Sequence, residues 1–270
     1  MSDGVVPGCG PARGEESKLE TVALLVLAVF TAGYLVLEGA DIGVGMLLPV
    51  LGRDARQRRL VIASFAPLFL ANEVWLVAAA GVVAGAFPGL EHALLSGLYP
   101  LFVALLVGWI VRDMGLWLRG RVDAARWRAV CDGAVVAGSW VLALVWGAVL
   151  GTVLVGGGRV EEGVNAGTVL GLPLALVFAV HGAGFARLRL AGGLVERARR
   201  VPGRYWVSAL GLVGVMVAAG SRLPWSQVVA GPQALGVTAV LCAVMLPLLL
   251  GAQALVWWTF RGRAESPGYL

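Results

Sequence analysis

The sequence contains few residues that could bind heme iron, metal ions or phosphate. Its three cysteines, Cys9, Cys131 and Cys242, show no metal-ligand or redox spacing. No phosphate-binding loop or nucleophile motif is present. The two histidines, His92 and His181, lie on separate segments and are too few to supply axial ligands for several hemes. If the chain belongs to a redox complex, most of the cofactors must be bound by another chain.

Charged residues are also scarce, and this scarcity indicates the fold class. Only 14% of the 270 residues are charged and 59% are hydrophobic, whereas soluble domains usually carry about 25% charged residues. Apolar runs near the ~20 residues that a helix needs to cross a bilayer recur along the chain. We therefore predict an all-α, polytopic transmembrane helix bundle of about seven membrane helices. The predicted spans are 21–50, 60–87, 93–118, 129–155, 167–187, 205–221 and 234–260.

The basic residues predict the orientation of the bundle. Of the 21 Lys and Arg residues, 17 fall on alternate links that share one side of the membrane. By the positive-inside rule the N-terminus lies outside and the C-terminus is cytoplasmic. The net charge of +5 is therefore an orientation signal facing anionic lipid and not a nucleic-acid patch.

The two ends of the chain differ from the spans in polarity. Residues 1–19 are predicted to form an exposed polar N-terminal tail. They do not resemble a cleaved signal peptide, which would begin with a basic and then an apolar region. Residues 20–263 are the predicted transmembrane domain, and residues 264–270 are a predicted cytoplasmic tail.

Four polar residues in the first two spans are the strongest candidates for function. Glu38 and Asp41 lie three residues apart, so both project from one helix face. Asp41 and Asn72 lie 12 and 13 residues from the nearest arginines of the link between these spans, about 18–20 Å at about 1.5 Å per residue. With Glu73 beside Asn72, we expect the two pairs to face each other at similar depth. They could form a proton or ion path, or a structural clasp that joins the two helices.

Other polar and small residues inside the spans have structural interpretations. Arg112 could extend outward to the cytoplasmic surface, and His181 is more typical of a hydrogen bond between helices than of a ligand. Gln253 is predicted to form hydrogen bonds between helices. Gly39 and Gly43 have the spacing at which membrane helices approach closely.

Several stretches, in order, resemble subunit II of the cytochrome bd quinol oxidases. "YLVLEGADIGVGMLLP" is similar to that family's first helix. "NEVWLVAAAGVVAGAFP", which contains Asn72, Glu73 and Trp75, resembles its second helix. "SGLYPLFVALLVGWIVRDMGLWLRGR", with Arg112, is similar to the third, and "MLPLLLGAQALVWWTFRGR", with Gln253, resembles the last. The resemblance covers most of the chain, and the motifs are specific when taken together.

The chain departs from the family pattern in three places. Leu70 stands where the family has an Asp of a proposed proton route. Trp117 stands where the family has a Glu in its third helix. About two helices of the family are missing between the fifth helix and the closing pair, so the chain is identified as a shortened member.

The resemblance implies a non-heme subunit of a terminal oxidase in the bacterial cell membrane, which oxidises quinol and reduces oxygen to water. It implies that two hemes b and one heme d belong to the partner, subunit I, and that this chain ligates no heme and carries no catalytic residue. Subunit II would stabilise subunit I and could bound a proton or oxygen path. Small single-span subunits and a structural quinone or lipid are further expected components.

The resemblance also gives the candidate residues their expected roles. The proton path or buried polar node would consist of Glu38, Asp41, Asn72 and Glu73. The helix-packing residues would be Gly39, Gly43, Trp75, Arg112, His181 and Gln253.

Two other functions remain as alternatives. The first is an assembly scaffold without a proton role, which Leu70, Trp117 and the missing helices favour. The second is a small-molecule transporter on the same scaffold, because glycines near Asp41 permit a discontinuous helix. Transporters often pair two such breaks, and the sequence offers no second matching one.

Overall fold

The computed structural model describes residues 11–156 and 166–265, and within this part of the chain every regular element is a helix. The helices are α1 (Pro11–Met46), α2 (Leu48–Leu51), α3 (Ala55–Phe65), α4 (Phe69–Ala86), α5 (Pro88–Gly97), α6 (Tyr99–Leu118), α7 (Ala125–Val155), α8 (Ala166–Val169), α9 (Gly171–Arg189), α10 (Gly192–Arg200), α11 (Tyr205–Gly220), α12 (Trp225–Val228) and α13 (Pro232–Thr259). The predicted all-α class is confirmed.

Six helical segments are long and apolar enough to cross a membrane. They are Ser17–Met46, Phe69–Ala86, Tyr99–Leu118, Ala125–Val155, Ala166–Arg189 and Pro232–Thr259. The sixth predicted span corresponds to α11, whose 16 residues extend about 24 Å. Counted with α10, from which it is bent by 47°, α11 gives a seventh candidate. The prediction of about seven membrane helices is confirmed as six to seven.

Prolines divide two of the predicted spans. The second span is not one helix, because α3 ends and α4 begins on either side of Pro67, which lacks the N–H of a continuous helix. The third span is divided into α5 and α6 just before Pro100. In contrast, Pro247 lies inside α13 without ending it, as membrane helices tolerate.

Glycines set the distance between the central helix α1 and its neighbour α9. A Cβ atom on Gly43 would lie 1.9 Å from the carbonyl oxygen of Phe178, and one on Gly182 would lie 2.2 Å from the carbonyl carbon of Gly43. No side chain fits at this crossing, so the two backbones are in direct contact. Helix α1 also contacts α4, α7, α11 and α13. It is therefore positioned to bring its polar residues to the centre of the bundle.

The predicted tails are only partly described. Residues 1–10, including Cys9, and residues 266–270 lie outside the described residues, as does Arg159. Residues 11–19 form the first part of α1. Cys131 and Cys242 are buried and free.

Candidate functional site

Polar side chains from four helices meet inside the bundle, and we call this group the central polar cluster. It consists of Glu38 and Asp41 of α1, Asn72, Glu73 and Trp75 of α4, Trp109, Arg112 and Asp113 of α6, and Gln253 of α13. Glu38 and Asp41 are each 1% exposed. The structure thus brings together all four residues proposed for the polar node, with Arg112 and Gln253 beside them.

Arg112 is the cation of the cluster. One guanidinium nitrogen, Nη1, donates to Glu38 Oε1, and the other, Nη2, donates to Glu73 Oε1 at 3.1 Å. Its Nε atom lies 3.3 Å from Asp113 Oδ1, and the guanidinium carbon lies 5.9 Å from the centre of the Phe69 ring. Arg112 therefore links α6 to both α1 and α4.

The expectation that Arg112 extends outward to the cytoplasmic surface is wrong, because the residue is only 1% exposed. Side chains on a helix lean toward its N-terminus. The N-terminal part of α6 lies farther from the arginine-rich end of the bundle. The side chain is therefore directed toward the carboxylates inside the span.

A second set of hydrogen bonds begins at Asp41 and runs through two amides. Asn72 Nδ2 donates to Asp41 Oδ2 at 2.7 Å. Gln253 Nε2 donates to Asn72 Oδ1 at 2.8 Å, and Trp75 Nε1 donates to Gln253 Oε1 at 3.0 Å. These bonds join α1, α4 and α13, whereas Arg112 joins α6 to α1 and α4.

The cluster contains more carboxyl groups than cations. Glu38, Glu73 and Asp113 contact the Arg112 guanidinium, and Asp41 is bonded to Asn72. Within the described part of the chain, Glu38 Oε2 and Asp41 Oδ1 are buried without a hydrogen-bond partner. Burying several uncompensated negative charges in the bilayer would be very costly. The cluster therefore combines one cation with four carboxyl groups inside the bundle.

His181 makes contacts with neighbouring helices through both ring nitrogens. Nδ1 lies 2.9 Å from Ser208 Oγ of α11, and Nε2 lies 2.8 Å from the carbonyl oxygen of Val36 in α1. Its ring stacks on Tyr205 with the centroids 4.6 Å apart. No ring nitrogen is left to coordinate iron, so His181 does not fit as a heme ligand. His92 is exposed on α5, on a different segment.

The two positions that depart from the family pattern lie outside the cluster. Leu70 is 51% exposed on the outer face of α4. Trp117 is also exposed, and its ring contacts the edge of Phe69 with the centroids 6.0 Å apart.

A second charged group lies at the arginine-rich end of the bundle and was missed by the sequence analysis. Asp132 of α7 is buried and pairs with Arg119 of α6, whose Nε is 2.5 Å from Asp132 Oδ1. Arg58 of α3 is 3.2 Å from Asp132 Oδ2. The signal was available, because Asp132 is an isolated acid just after an arginine-rich link. The charge asymmetry that predicts orientation does not by itself reveal that Arg58 and Arg119 pair with this acid.

Other arginines at this end bind backbone carbonyl groups. Arg187 donates to the carbonyl oxygens of Ala198, Val201 and Gly203. Arg189 donates to Ser64 O at 3.2 Å. These arginines therefore stabilise the loops and helix ends, in addition to contributing to the charge asymmetry.

Comparison with known proteins identifies the family. The family model described as cytochrome bd terminal oxidase subunit II matches residues 19–228. The chain belongs to this family. The match includes the part of the central polar cluster on α1, α4 and α6. It ends before α13, so the resemblance of the last helix, with Gln253, stays a prediction.

Relatives of known name agree with this membership. The chain is 34% identical over 195 residues to the cytochrome bd ubiquinol oxidase subunit 2 of Bacillus subtilis (strain 168), covering 68% of this chain and 58% of that protein. It is 32% identical over 191 residues to a probable cytochrome oxidase subunit 2 of Haemophilus influenzae, covering 66% and 50%. It is 37% identical over 132 residues to the cytochrome bd-I ubiquinol oxidase subunit 2 of Escherichia coli (strain K12), covering 49% and 35%. The chain thus spans about half the length of the first two relatives and less of the third.

Proposed function

We propose that this chain is subunit II of a bd-type terminal oxidase, a complex that oxidises quinol and reduces oxygen to water. The observation that carries the proposal is the family match over residues 19–228. Relatives named as ubiquinol oxidase subunits support the same activity. Ubiquinol and menaquinol are both candidate electron donors for this chain.

The hemes are assigned to the partner, subunit I. Both ring nitrogens of His181 are engaged within this chain, and a heme iron needs a free nitrogen or another axial ligand. In this proposal the chain stabilises the heme-bearing partner and ligates no heme itself.

The proposed location is the bacterial cell membrane, with residues 20–263 as the membrane domain and the N-terminus outside. The excess of arginine on one side supports this orientation. Single cysteines replacing Asp54 and Arg222, both exposed and on opposite ends of the spans, should be labelled from opposite sides in intact cells. Labelling of both from the same side would contradict the orientation.

Within this function, the central polar cluster acts as a clasp that holds α1, α4, α6 and α13 together. Arg112 and the Asp41–Asn72–Gln253 bonds join helices that are distant in sequence. Paired and hydrogen-bonded polar groups are stable in a membrane only when they face one another inside the protein. The cluster therefore favours a single arrangement of these helices.

The surroundings of the cluster favour the clasp over a proton path. Buried apolar side chains lie between the cluster and the arginine-rich end, among them Val44, Leu48, Phe65, Leu68 and Leu116. Leucine also replaces the family's Asp at position 70, and a leucine side chain cannot relay a proton. In this proposal the proton uptake of the complex runs mainly through the partner subunit.

The transporter alternative loses its main support. It required a discontinuous helix at Gly39, Gly43 and Gly45, yet α1 is continuous to Met46. The glycines instead allow close helix contacts, since a Cβ on Gly45 would lie 2.1 Å from Ser139 Oγ.

The proposed function is tested by purifying the tagged chain from its native membrane. We expect a larger chain with heme absorbance to elute with it, and the purified material to consume oxygen when supplied with quinol. A colourless preparation that contains only copies of this chain would contradict the proposal.

A further inference from the structure

Two adjoining cavities lie at the arginine-rich end of the bundle, where the α2–α3 segment meets α7. The smaller cavity, of about 130 Å³, has charged side chains in its lining: Arg53, Asp54, Arg58, Arg128 and Asp132. The larger, of about 330 Å³, has a mainly apolar wall that includes Leu48, Pro49, Gly133, Val136 and Ala137. Arg58 and Asp132 line both cavities. We call the two together the α3–α7 groove.

The groove changes from charged to apolar along the direction of the spans. The smaller cavity lies where α3 and α7 begin, at Ala55 and Ala125. The larger cavity reaches residues 133–137 of α7, about 12–18 Å along the helix from Ala125 at about 1.5 Å per residue. The charged part of the groove is therefore nearer to the membrane surface, and the apolar part lies at the depth of lipid tails.

Three arginines of the smaller cavity keep donors that can bind an anion. Arg58 Nη1 donates to Asp132 Oδ2 at 3.2 Å and its Nε donates to a backbone carbonyl, but Nη2 makes no hydrogen bond in the described part of the chain. The Arg53 side chain is exposed and, among the described residues, forms no ion pair. Arg128 pairs with Asp123, which is fully exposed, and such surface pairs contribute little to stability. An anion in the cavity can therefore engage all three side chains.

The acids of the groove do not cancel this positive charge. Arg119 pairs with Asp132 through both Nε, at 2.5 Å, and Nη2, at 3.4 Å. Asp54 caps the N-terminus of α3. The two segments at this end, 53–59 and 119–132, contain eight arginines against three aspartates, an excess of five positive charges. The groove is therefore suited to a ligand with a net negative charge.

We propose that the α3–α7 groove binds one molecule of an anionic phospholipid. Its phosphate group lies among Arg53, Arg58 and Arg128, and one acyl chain follows the apolar wall past Leu48 and Val136. The apolar cavity favours a lipid over a free phosphate ion, which would occupy only the charged part. A zwitterionic lipid is disfavoured because its cationic group would meet the excess of arginine. The inference relies on the proposed location and orientation, which place this end in the anionic cytoplasmic leaflet.

Photolabelling tests the position of the site. The purified heme-containing complex is placed in phosphatidylcholine vesicles that contain a small fraction of phosphatidylglycerol with a diazirine on one acyl chain. After irradiation we expect labelled residues in 48–50 and 133–137. Absence of label from both segments would overturn the inference. If the chain purifies without a heme-bearing partner, the proposed function fails, and the same labelling of the chain as purified still tests the groove.

Competition tests the chemistry of the ligand. Unlabelled phosphatidylglycerol should reduce the labelling of these segments, whereas phosphatidylethanolamine and inorganic phosphate should not. Equal competition by phosphatidylethanolamine would overturn the preference for a net negative headgroup. Equal competition by inorganic phosphate would show that the groove binds a free anion and would overturn the lipid.

Substitution of the arginines separates a site from a general surface charge. A basic residue close to an anionic lipid surface contributes about fivefold to binding. We therefore expect Arg53→Gln and Arg58→Gln each to weaken the apparent affinity for phosphatidylglycerol about fivefold in the competition assay. The control is Arg56→Gln, which removes the same charge from the same helix but lines neither cavity, and it should change the affinity less. An equal loss with Arg56→Gln would show diffuse attraction by the whole arginine-rich end and would overturn the site.

Gly133→Leu tests the apolar part of the groove while leaving every arginine in place. A Cβ on Gly133 meets no atom within 4 Å, so the added side chain occupies the groove without displacing a helix. We expect it to remove most of the label from α7. The control is Gly211→Leu on α11, where a Cβ also meets nothing within 4 Å, and labelling should persist. Melting of each complex, followed by heme absorbance, shows that the variants are folded. Unchanged labelling in a folded Gly133→Leu complex would overturn the placement of the acyl chain.

Discussion

Replacing Arg112 with methionine should destabilise the complex strongly while leaving the turnover of each assembled complex nearly unchanged. Methionine keeps much of the side chain's length and removes the charge, so Glu38 and Glu73 each lose a hydrogen-bond donor. Breaking a buried ion pair by removing one partner costs about 3–5 kcal/mol. Protonation of the two carboxyl groups would offset part of this loss, so the expected cost is about 3 kcal/mol.

This cost can be measured as a change in melting temperature. At about 2–4 °C for each kcal/mol in a domain of about 150–250 residues, we expect a decrease of roughly 6–12 °C. The assay is thermal melting of the purified complex followed by heme absorbance, with oxygen consumption measured per heme d. Arg121→Met, which changes an exposed arginine of the α6–α7 link, is the control and should melt within about 1–2 °C of the unmodified complex.

A compensating change separates the clasp from a general packing effect. Arg112→Met combined with Glu38→Gln removes a carboxyl group that the first substitution leaves unpaired, so part of the lost melting temperature should return. Two results would refute the clasp. One is an Arg112→Met complex that melts normally, and the other is normal yield and melting with greatly reduced turnover per heme d.

Three further substitutions have expected outcomes. Glu73→Gln should lower the yield of intact complex more than oxygen consumption per heme d, and a large fall in turnover at normal yield would show that the cluster conducts protons. Gly43→Leu should abolish accumulation of the chain, because the added Cβ would overlap the backbone of α9. The control is Gly81→Leu, which should accumulate normally because nothing lies within 4 Å of the added Cβ. His181→Ala should lower the yield of the complex, because contacts between helices are lost. The heme absorbance bands of the assembled complex should keep their positions. A shifted band would contradict the assignment of the hemes to the partner.

The features that follow from local geometry could be predicted from the sequence. Counting residues from the arginine-rich link placed Asp41 and Asn72 at similar depth, because the rise per residue is the same in both helices. The structure finds their side chains 2.7 Å apart. The hydrophobic runs likewise predict the membrane-spanning helices. The helix break at Pro67 lies inside a continuous apolar run and was not predicted.

The features that depend on which helices are neighbours could not be predicted in this way. The two hydrogen-bond partners of Arg112, Glu38 and Glu73, lie 74 and 39 positions away in the sequence. No local sequence pattern shows that α6 faces α1 and α4. The same applies to Asp132, whose pairing with Arg58 spans 74 residues. An isolated acid in an apolar run calls for a cation, but only the packing of the helices shows that Arg58 and Arg119 are its partners.

The series of hydrogen bonds that runs from Trp75 through Gln253 and Asn72 to Asp41 has one donor-to-acceptor direction. This direction constrains the position of the last helix, α13. An indole nitrogen can only donate, so Gln253 must accept from Trp75 with its oxygen and donate to Asn72 with its nitrogen. Because neighbouring residues on a helix are turned by about 100°, a shift of α13 by a single residue would rotate Gln253 away from Asn72. Most of α13 is exposed. The Gln253 amide therefore acts with the buried Leu235, Thr238 and Cys242 to set the rotation of α13 and its height in the membrane. A chain that packs against the exposed face of α13 would meet a fixed row of side chains.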